Sequence, residues 1–244
     1  MRVPRLFIDQ PLRTDEPVAL DRRTHDHAVK VLRLRAGDRL CLFNGRGGEF
    51  AATLTSGPDR TLQALVGEFT PDRTESPLNV RLLQGISRGE RMDYTLQKAV
   101  ELGVGEIVPL VTERTVLRLA GEREARRLAH WRGVVLAACE QSGRTRLPPV
   151  VEPRALSTQL AQPLDGAGLL LDPRAGQALM QTGPYQGTVN VLIGPEGGLS
   201  PTEVATAQAA GYCGVRIGPR VLRTETAAVV ALALLQALGG DFGA

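Results

Sequence analysis

The residues best suited to chemistry lie in two glycine-containing loops near the carboxyl terminus. The first loop is Gly194-Pro195-Glu196-Gly197-Gly198, and the second runs from Ile217-Gly218-Pro219 to Leu222-Arg223-Thr224-Glu225. Glycine has no Cβ and readily adopts positive φ, so a flat ligand can come close to the main chain of such loops. We therefore expect main-chain N–H and C=O groups to contact the ligand, with carboxylate and guanidinium groups nearby.

The surrounding sequence predicts that each loop joins a strand to a helix. A short, mostly β-branched run, made of Val189, Val191, Leu192 and Ile193, is typical of a strand that is buried on both faces. Ser200 is a favourable N-cap, Pro201 suits the first helical position, and Glu203 completes a capping box. A second strand near Val215 precedes the second loop. Ligands of open α/β sheets bind at the carboxyl ends of strands, so both loops are candidate binding loops.

The loops favour a nucleoside over a phosphate group as the ligand. The sequence contains no G-x-x-x-x-G-K-[ST] motif, and no G-x-G-x-x-G opens a helix after a strand. The edge of a nucleobase, by contrast, needs alternating hydrogen-bond donors and acceptors. Exposed main-chain N–H and C=O groups supply them. The alternative is that residues 194–198 form only a tight turn between a strand and a helix.

Both loops resemble the signature of the SPOUT methyltransferases, here Ile193-Gly194-Pro195-Glu196-Gly197-Gly198 and Leu222-Arg223-Thr224-Glu225-Thr226-Ala227. Within that superfamily, the sequence looks like the family that methylates N3 of a uridine in 16S ribosomal RNA of the small subunit. The resemblance implies an α/β fold with a parallel sheet and a carboxyl-terminal trefoil knot that binds S-adenosylmethionine. It also implies a homodimer formed through the knot helices, and ribosomal RNA in the assembled small subunit as the partner.

The resemblance assigns the cofactor site to residues of the two loops and of one preceding strand. It implies that the methyl donor is bound, mostly through main-chain atoms, by Leu171, Ile193, Gly194, Glu196, Gly197, Gly198, Ile217, Gly218, Leu222 and Thr226.

Methyl transfer to a uridine nitrogen defines what the catalytic residues must do. The protein must align donor and acceptor, remove the N3 proton, and stabilise the negative charge that develops on the imide. Arg223 is our candidate for the last task, because it lies where the second loop enters its helix. Glu225 is either a base whose pKa is raised by burial or an acid that complements the helix dipole. The same alternatives apply to Glu196, which could instead contact the ribose hydroxyls or the positive charge of the donor.

Residues 1–72 are predicted to form a small β domain. A turn, Asn44-Gly45-Arg46-Gly47-Gly48, separates strand patterns at 40–43 and 50–54 and so indicates a hairpin. Another strand pattern covers 61–69. The segment is similar to the PUA-like β-barrel that precedes the methyltransferase domain in the named family and is implied to bind RNA. Residues 73–77 are the predicted linker to a methyltransferase domain at 78–244.

From residue 78 onward, strand and helix patterns alternate. Strands are predicted at 80–86, 107–111 and 169–171, and helices at 91–102 and 122–141, in addition to the elements around the two loops. Such alternation indicates a parallel sheet that is covered by helices on both faces. The last predicted helix, 225–238, is apolar nearly all round. It is therefore buried either in the core of a monomer or against a second copy of the chain.

Arginines in both domains are candidates for contacts with RNA phosphates. They are Arg22, Arg23, Arg33 and Arg35 in the first domain and Arg88, Arg91 and Arg144 in the second. Residues 32–35 alternate leucine and arginine, which predicts a strand with the arginines facing outward. Arg88, Arg91 and Arg144 lie in two stretches that resemble the family, Ser87-Arg88-Gly89-Glu90-Arg91 and Glu140-Gln141-Ser142-Gly143-Arg144. The alternatives are an ordinary charged face and, for Arg144, a cation at a helix carboxyl terminus.

Composition and charge restrict the class of protein. The 244 residues are 43% hydrophobic and 23% charged, as in a globular protein, and no apolar run is long enough to cross a membrane. We therefore expect a cytoplasmic protein without a membrane partner. The three cysteines and three histidines are too scattered for a disulfide framework or a metal site. A net charge of +3 and a pI of about 9.0 allow a polyanionic partner without requiring one.

Two other functions are compatible with the sequence. One is a non-catalytic RNA-binding protein with a degenerate α/β domain, although the intact loop motifs argue against degeneration. The other is an enzyme that acts on a small metabolite with a nucleotide cofactor, which the missing dinucleotide and phosphate motifs disfavour. The resemblance covers nearly the whole chain and favours the ribosomal RNA methyltransferase.

Overall fold

The computed structural model describes residues 3–57, 61–116 and 121–242. Contacts between Cα atoms divide the chain into two compact units, the first made of Met1–Glu75 and Cys139–Leu147 and the second of Ser76–Ala138 and Pro148–Ala244. This division falls inside the predicted linker. It differs from the predicted domains in assigning Cys139–Leu147 to the first unit. The outer ends of the predicted domains, residues 1–2 and 243–244, lie outside the described residues.

The first unit is built on a mixed β-sheet. Its strands are β1 (Arg5–Phe7), β2 (Pro17–Ala19), β3 (Arg39–Phe43), β4 (Glu49–Ser56) and β5 (Leu62–Thr70). Within the described residues they form a five-stranded sheet in the order β1-β3-β4-β5-β2, in which only β1 and β3 pair in parallel. The antiparallel pair β3–β4 confirms the predicted hairpin. Leu6, Leu42, Leu54 and Val66 are among the buried residues of its core.

The predicted strand at residues 32–35 is wrong. Helix α1 (Arg22–Asp26) leads into a π-helical turn (His27–Val31), and Arg33 has a φ of 57°. This left-handed conformation is incompatible with an extended strand. The predicted facing of the side chains is nevertheless confirmed, because both leucines pack against the core and both arginines are exposed.

The second unit is an α/β sandwich whose strands and helices alternate as predicted, except that three strands in its middle follow one another without an α-helix between them. Its strands and helices are, in chain order, β6 (Asn79–Gly85), α2 (Glu90–Glu101), β7 (Val104–Val111), α3 (Glu122–Ser142), β8 (Arg154–Ala155), α4 (Leu156–Leu160), β9 (Ala167–Leu171), β10 (Gln177–Ala178), β11 (Thr188–Ile193), α5 (Pro201–Ala209), β12 (Cys213–Arg216) and α6 (Thr224–Gly239). A 3₁₀ turn, Leu179–Gln181, follows β10. The last residues of α3, from Cys139 onward, belong to the first of the two compact units.

The sheet of the second unit is parallel, as predicted. Its described strands are seven, in the order β10-β12-β9-β11-β6-β7-β8. On one face, Leu83 and Leu192 pack in a cluster with residues of α4 and α5. Their neighbours Leu82 and Val191 point to the opposite face and are also fully buried. Both faces are therefore covered, and the carboxyl ends of all strands meet at one edge.

Helix α6 is only partly covered by its own chain. It contacts α2, β6 and β11, and its buried side includes Ala228, Leu232 and Leu235. Val229 and Leu234, on other sides of the helix, are half-buried. The described residues thus leave apolar surface on the helix that was predicted to be buried all round. None of the helices in the described part of the chain combines the length and apolarity needed to cross a membrane.

Candidate functional site

The first glycine loop connects the end of β11 to the start of α5. Ser200 Oγ accepts a hydrogen bond from Glu203 N at 3.2 Å, and Glu203 Oε2 accepts one from Ser200 N at 2.8 Å. This arrangement confirms the predicted capping box. Glu203 Oε1 also accepts a hydrogen bond from Glu113 N at 2.9 Å, which ties the loop after β7 to the same helix end. The capping box and the bond from Glu113 therefore both fix the carboxyl-terminal end of the glycine loop.

The first loop packs closely on the end of β6. A Cβ built on Gly85 would lie 2.4 Å from Pro195 N, so only glycine fits at this position. On another side of the loop, Arg114 Nη1 donates a hydrogen bond to Gly197 O at 2.7 Å. The main chain of the loop is thus held in place by its neighbours.

A buried threonine joins the two glycine loops. Thr224, the first residue of α6, donates a hydrogen bond from Oγ1 to Gly194 O at 2.7 Å. The same oxygen accepts one from Gln84 Nε2 at 2.9 Å, and this Nε2 also donates to Gly85 O at 3.0 Å. Thr224 is 7% exposed and Gln84 is fully buried. The end of β6 and both loops therefore converge on one hydroxyl group.

Both loops line an open cavity of about 730 Å³ at the carboxyl edge of the sheet. This volume is typical of a site for a small molecule. Its apolar wall includes Leu171, Ile193, Ile217 and Leu222. The charged residues of its lining are Arg91, Arg114, Asp172, Arg174, Glu196, Arg216, Arg220, Arg223 and Glu225.

Glu196 is held as a carboxylate on this wall. Its Oε1 accepts hydrogen bonds from Arg88 N at 2.9 Å and from Arg91 Nη1 at 3.2 Å. Partial burial by itself raises the pKa of Glu196, but hydrogen bonds from main-chain N–H groups and from Arg91 outweigh it, so the pKa lies below its ordinary value. A carboxylate with a lowered pKa is a poor general base near neutral pH. Of the alternatives open for Glu196, the structure therefore favours an electrostatic or structural role.

Arg223 and Glu225 flank Thr224 and both line the cavity. Arg223 is the N-cap of α6, but its side chain makes no capping hydrogen bond and is exposed. Glu225 lies in the first turn of α6, and its Oε2 is buried without a hydrogen-bond partner among the described residues. A buried polar atom without a partner needs an explanation, and a ligand that donates a hydrogen bond is one. Nowhere in the described ranges do three or more His, Cys, Asp or Glu side chains gather into a group that could hold a metal ion.

The chain matches two models of protein families. Residues 74–236 match the RNA methyltransferase domain, and residues 21–66 match the RNA methyltransferase PUA domain. The chain is also 30% identical over 241 residues to the ribosomal RNA small subunit methyltransferase E of Buchnera aphidicola subsp. Schizaphis graminum, and the match covers 98% of each protein. The chain belongs to the ribosomal RNA small subunit methyltransferase E family.

Solved structures of similar proteins have the same fold over nearly the whole chain. A ribosomal RNA small subunit methyltransferase E from Neisseria gonorrhoeae, bound to S-adenosyl methionine, is 38% identical with a TM-score of 0.92, covering 99% of this chain and 100% of that one. A methyltransferase from Legionella pneumophila, in complex with its cofactor SAM, is 35% identical with a TM-score of 0.95, at the same coverage. These matches confirm the predicted family and the α/β fold preceded by a PUA-like β domain. The trefoil knot stays a prediction.

The structure brings together nearly all the residues that the family resemblance assigns to the cofactor. Every one of them lines the cavity except Thr226, which is exposed on α6 and absent from the lining. The two predicted catalytic residues lie on the same wall. Their roles stay predictions.

The predicted RNA-binding arginines fall into different environments. Arg91 lines the cavity, and Arg88 is exposed beside it, with its N–H bonded to Glu196. In the first unit Arg144 is buried, with its side chain 7% exposed, and it forms an ion pair with Glu75. This placement favours a structural role for Arg144 over phosphate binding. The four candidates in the first unit, Arg22, Arg23, Arg33 and Arg35, are exposed. Arg23 Nη2 also lies 3.4 Å from Glu140 Oε1.

Three residues of the site had no role predicted from the sequence, namely Thr224, Gln84 and Arg114. Arg114 could have been found, because it follows the predicted strand at 107–111 and the loops after parallel strands meet at one edge of the sheet. Gln84 is an amide that directly follows Leu82 and Leu83 in a predicted strand, which signals a buried polar contact. No local pattern identifies the contact between Thr224 and the first loop.

Proposed function

We propose that this protein transfers a methyl group from S-adenosylmethionine to N3 of a uridine in 16S ribosomal RNA, with the assembled small subunit as substrate. The observation that carries the proposal is the cavity that both glycine loops line at the carboxyl edge of the sheet. The cofactor bound to the Neisseria relative and the name of the family support the donor and the class of RNA. The uridine and its N3 atom rest on the sequence resemblance.

The residues of the cavity fit S-adenosylmethionine. The apolar side chains at 171, 193, 217 and 222 suit the faces of an adenine ring, and main-chain groups of the loops suit its edge. The unpartnered Glu225 Oε2 can accept a hydrogen bond from a bound group. When bound, the cofactor supplies an electrophilic methyl group on a positively charged sulfur.

The exposure of Arg223 on the cavity wall supports its proposed role of stabilising negative charge. Its guanidinium is exposed on the cavity wall and forms no ion pair with another of the described residues. A cation there can stabilise the uridine imide as its N3 proton leaves. The amide groups at the start of α6 contribute to the same field, because a helix N-terminus carries partial positive charge.

Two roles fit Glu225. As a general base it would accept the N3 proton, and as a first-turn acid it would complement the dipole of α6. Glu225→Gln separates them because it keeps the shape and removes the charge. Loss of transfer with cofactor affinity retained indicates the base, whereas retained transfer with slightly lower stability indicates the dipole role.

The RNA contacts and the homodimer belong to the same proposal. Exposed arginines supply the charge that phosphates require, namely Arg22, Arg23, Arg33, Arg35, Arg88 and Arg91. Arg144 is not included, because its side chain is buried against Glu75. The apolar surface that the single chain leaves on α6 supports a homodimer through this helix.

The test is transfer of a labelled methyl group to small ribosomal subunits from a strain that lacks this protein, followed by mass mapping of the RNA. We expect the label on N3 of one uridine. Arg223→Ala should abolish transfer while raising the Kd for S-adenosylmethionine by less than about tenfold, because its proposed contact forms in the transition state. Arg126→Ala, an exposed arginine of α3 outside the cavity lining, is the control and should behave as wild type. Label on another base or atom would contradict the proposal.

A further inference from the structure

The hydrogen bonds of Thr224 have a defined direction. A glutamine Nε2 can only donate, so Gln84 occupies the acceptor side of the Thr224 hydroxyl at 2.9 Å. The hydroxyl hydrogen is then available to Gly194 O at 2.7 Å. The bond from Gln84 Nε2 to Gly85 O supports this orientation of the amide, because the flipped amide would place two acceptors 3.0 Å apart.

Capping of α6 does not explain these contacts. The N-cap of α6 is Arg223, and its side chain makes no capping hydrogen bond. The hydroxyl of the next residue instead bonds to a carbonyl 30 residues earlier in the chain, at the start of the first loop. Its other partner, Gln84, lies at the end of a strand 140 residues earlier. The bonds therefore link separate parts of the site.

We propose that Thr224 is a positioning residue, whose hydroxyl holds the start of α6 against the first glycine loop and thereby sets the places of Arg223 and Glu225. The inference rests on the proposed methyl transfer. Both flanking residues line the cavity, so a shift at Thr224 moves both at once. A misplacement of about 1 Å can lower a rate by about 100-fold, even when the displaced residue still binds its ligand.

The test compares Thr224→Val with Thr224→Ser. Valine keeps the shape and removes the hydroxyl, whereas serine keeps the hydroxyl. We expect Thr224→Val to lower kcat by about 100-fold and to raise the Kd for S-adenosylmethionine by about tenfold. Thr224→Ser should retain both values within about threefold. Thr95→Val is the matched control, because Thr95 is also buried and its hydroxyl donates to a main-chain carbonyl, Arg91 O, at 2.9 Å; it should leave both values unchanged.

A Thr224→Val protein with lower Tm but unchanged kcat and Kd would overturn the inference, since the hydroxyl would then matter only for stability. If that variant does not fold, Gln84→Met serves instead, because it keeps the length of the side chain and removes the donor to Thr224. It should lower kcat and raise the Kd, each by about threefold. Unchanged values in the folded variant would likewise overturn the inference. A wild-type protein that binds S-adenosylmethionine without methylating RNA contradicts only the proposed function, because the Kd comparison still tests Thr224.

Discussion

A single methyl group at Gly85 tests whether the main chain of the first loop forms the cofactor site. A Cβ built on Gly85 would lie 2.4 Å from Pro195 N, 2.6 Å from Pro195 Cδ and 2.8 Å from Gly194 C. These are atoms of the main chain or of a proline ring, so no flexible side chain can move aside. Because non-bonded atoms pack at about 3.5 Å, Gly85→Ala must displace the loop by about 1 Å.

This displacement has consequences for stability and for binding. Overpacking of this kind costs about 2 kcal/mol, which lowers the Tm of a chain of this size by about 6 °C. The affinity for S-adenosylmethionine should fall by about tenfold or more, because the loop amides and carbonyls leave their places and the loss of one good contact is worth about 1.4 kcal/mol. Methyl transfer should fall by about 100-fold.

Calorimetric titration with S-adenosylmethionine, thermal unfolding and methyl transfer measure these effects in one variant. Gly133→Ala is the matched control, because Gly133 is exposed within α3 and a Cβ there would meet nothing within 4 Å. Alanine should stabilise that helix by up to about 1 kcal/mol without changing the affinity. A folded Gly85→Ala protein that binds the cofactor as tightly as wild type would refute the reasoning.

Two further predictions concern charged residues. Arg144→Ala removes the cation that is paired with the largely buried carboxylate of Glu75, so urea unfolding should show a loss of about 3 kcal/mol. The exposed Arg22→Ala should instead weaken RNA binding at unchanged stability. An Arg144→Ala protein as stable as wild type would contradict the structural role. Because the pKa of Glu196 is lowered in the folded protein, its contribution to stability is present above the ordinary pKa of a glutamate and is lost as the pH falls through the lowered value. The difference in Tm between wild type and Glu196→Gln should therefore be constant near neutral pH and vanish in acid, and a difference that persists unchanged to about pH 3 would contradict this linkage.

The elements around the cavity could be predicted because their signals are local. Ser200, Pro201 and Glu203 lie within four residues of each other, and the capping box they predict is present. The β-branched run before Gly194 likewise predicts β11. The contact between Thr224 and Gly194 could not be predicted in this way, because it depends on how the sheet brings distant loops to one edge. The burial of Arg144 depends on Glu75, 69 residues away.

The errors in the β domain have a similar cause. Strands β1 and β2 have three residues each, too few for an alternating pattern to be recognised. At residues 32–35 the alternation of leucine and arginine predicted a strand. A π-helical turn followed by the positive φ of Arg33 produces the same alternation of buried and exposed side chains. Periodicity in four residues therefore identified the facing of the side chains but not the backbone conformation.

A crystal structure with S-adenosylmethionine bound is the most direct test of the claim that the two glycine loops together form the cofactor site. We predict that the adenosine lies in the cavity, with main-chain atoms of residues 194–198 and of residues 217–222 both within hydrogen-bond distance of it. A cofactor bound outside this cavity, or in contact with only one of the loops, would contradict the account.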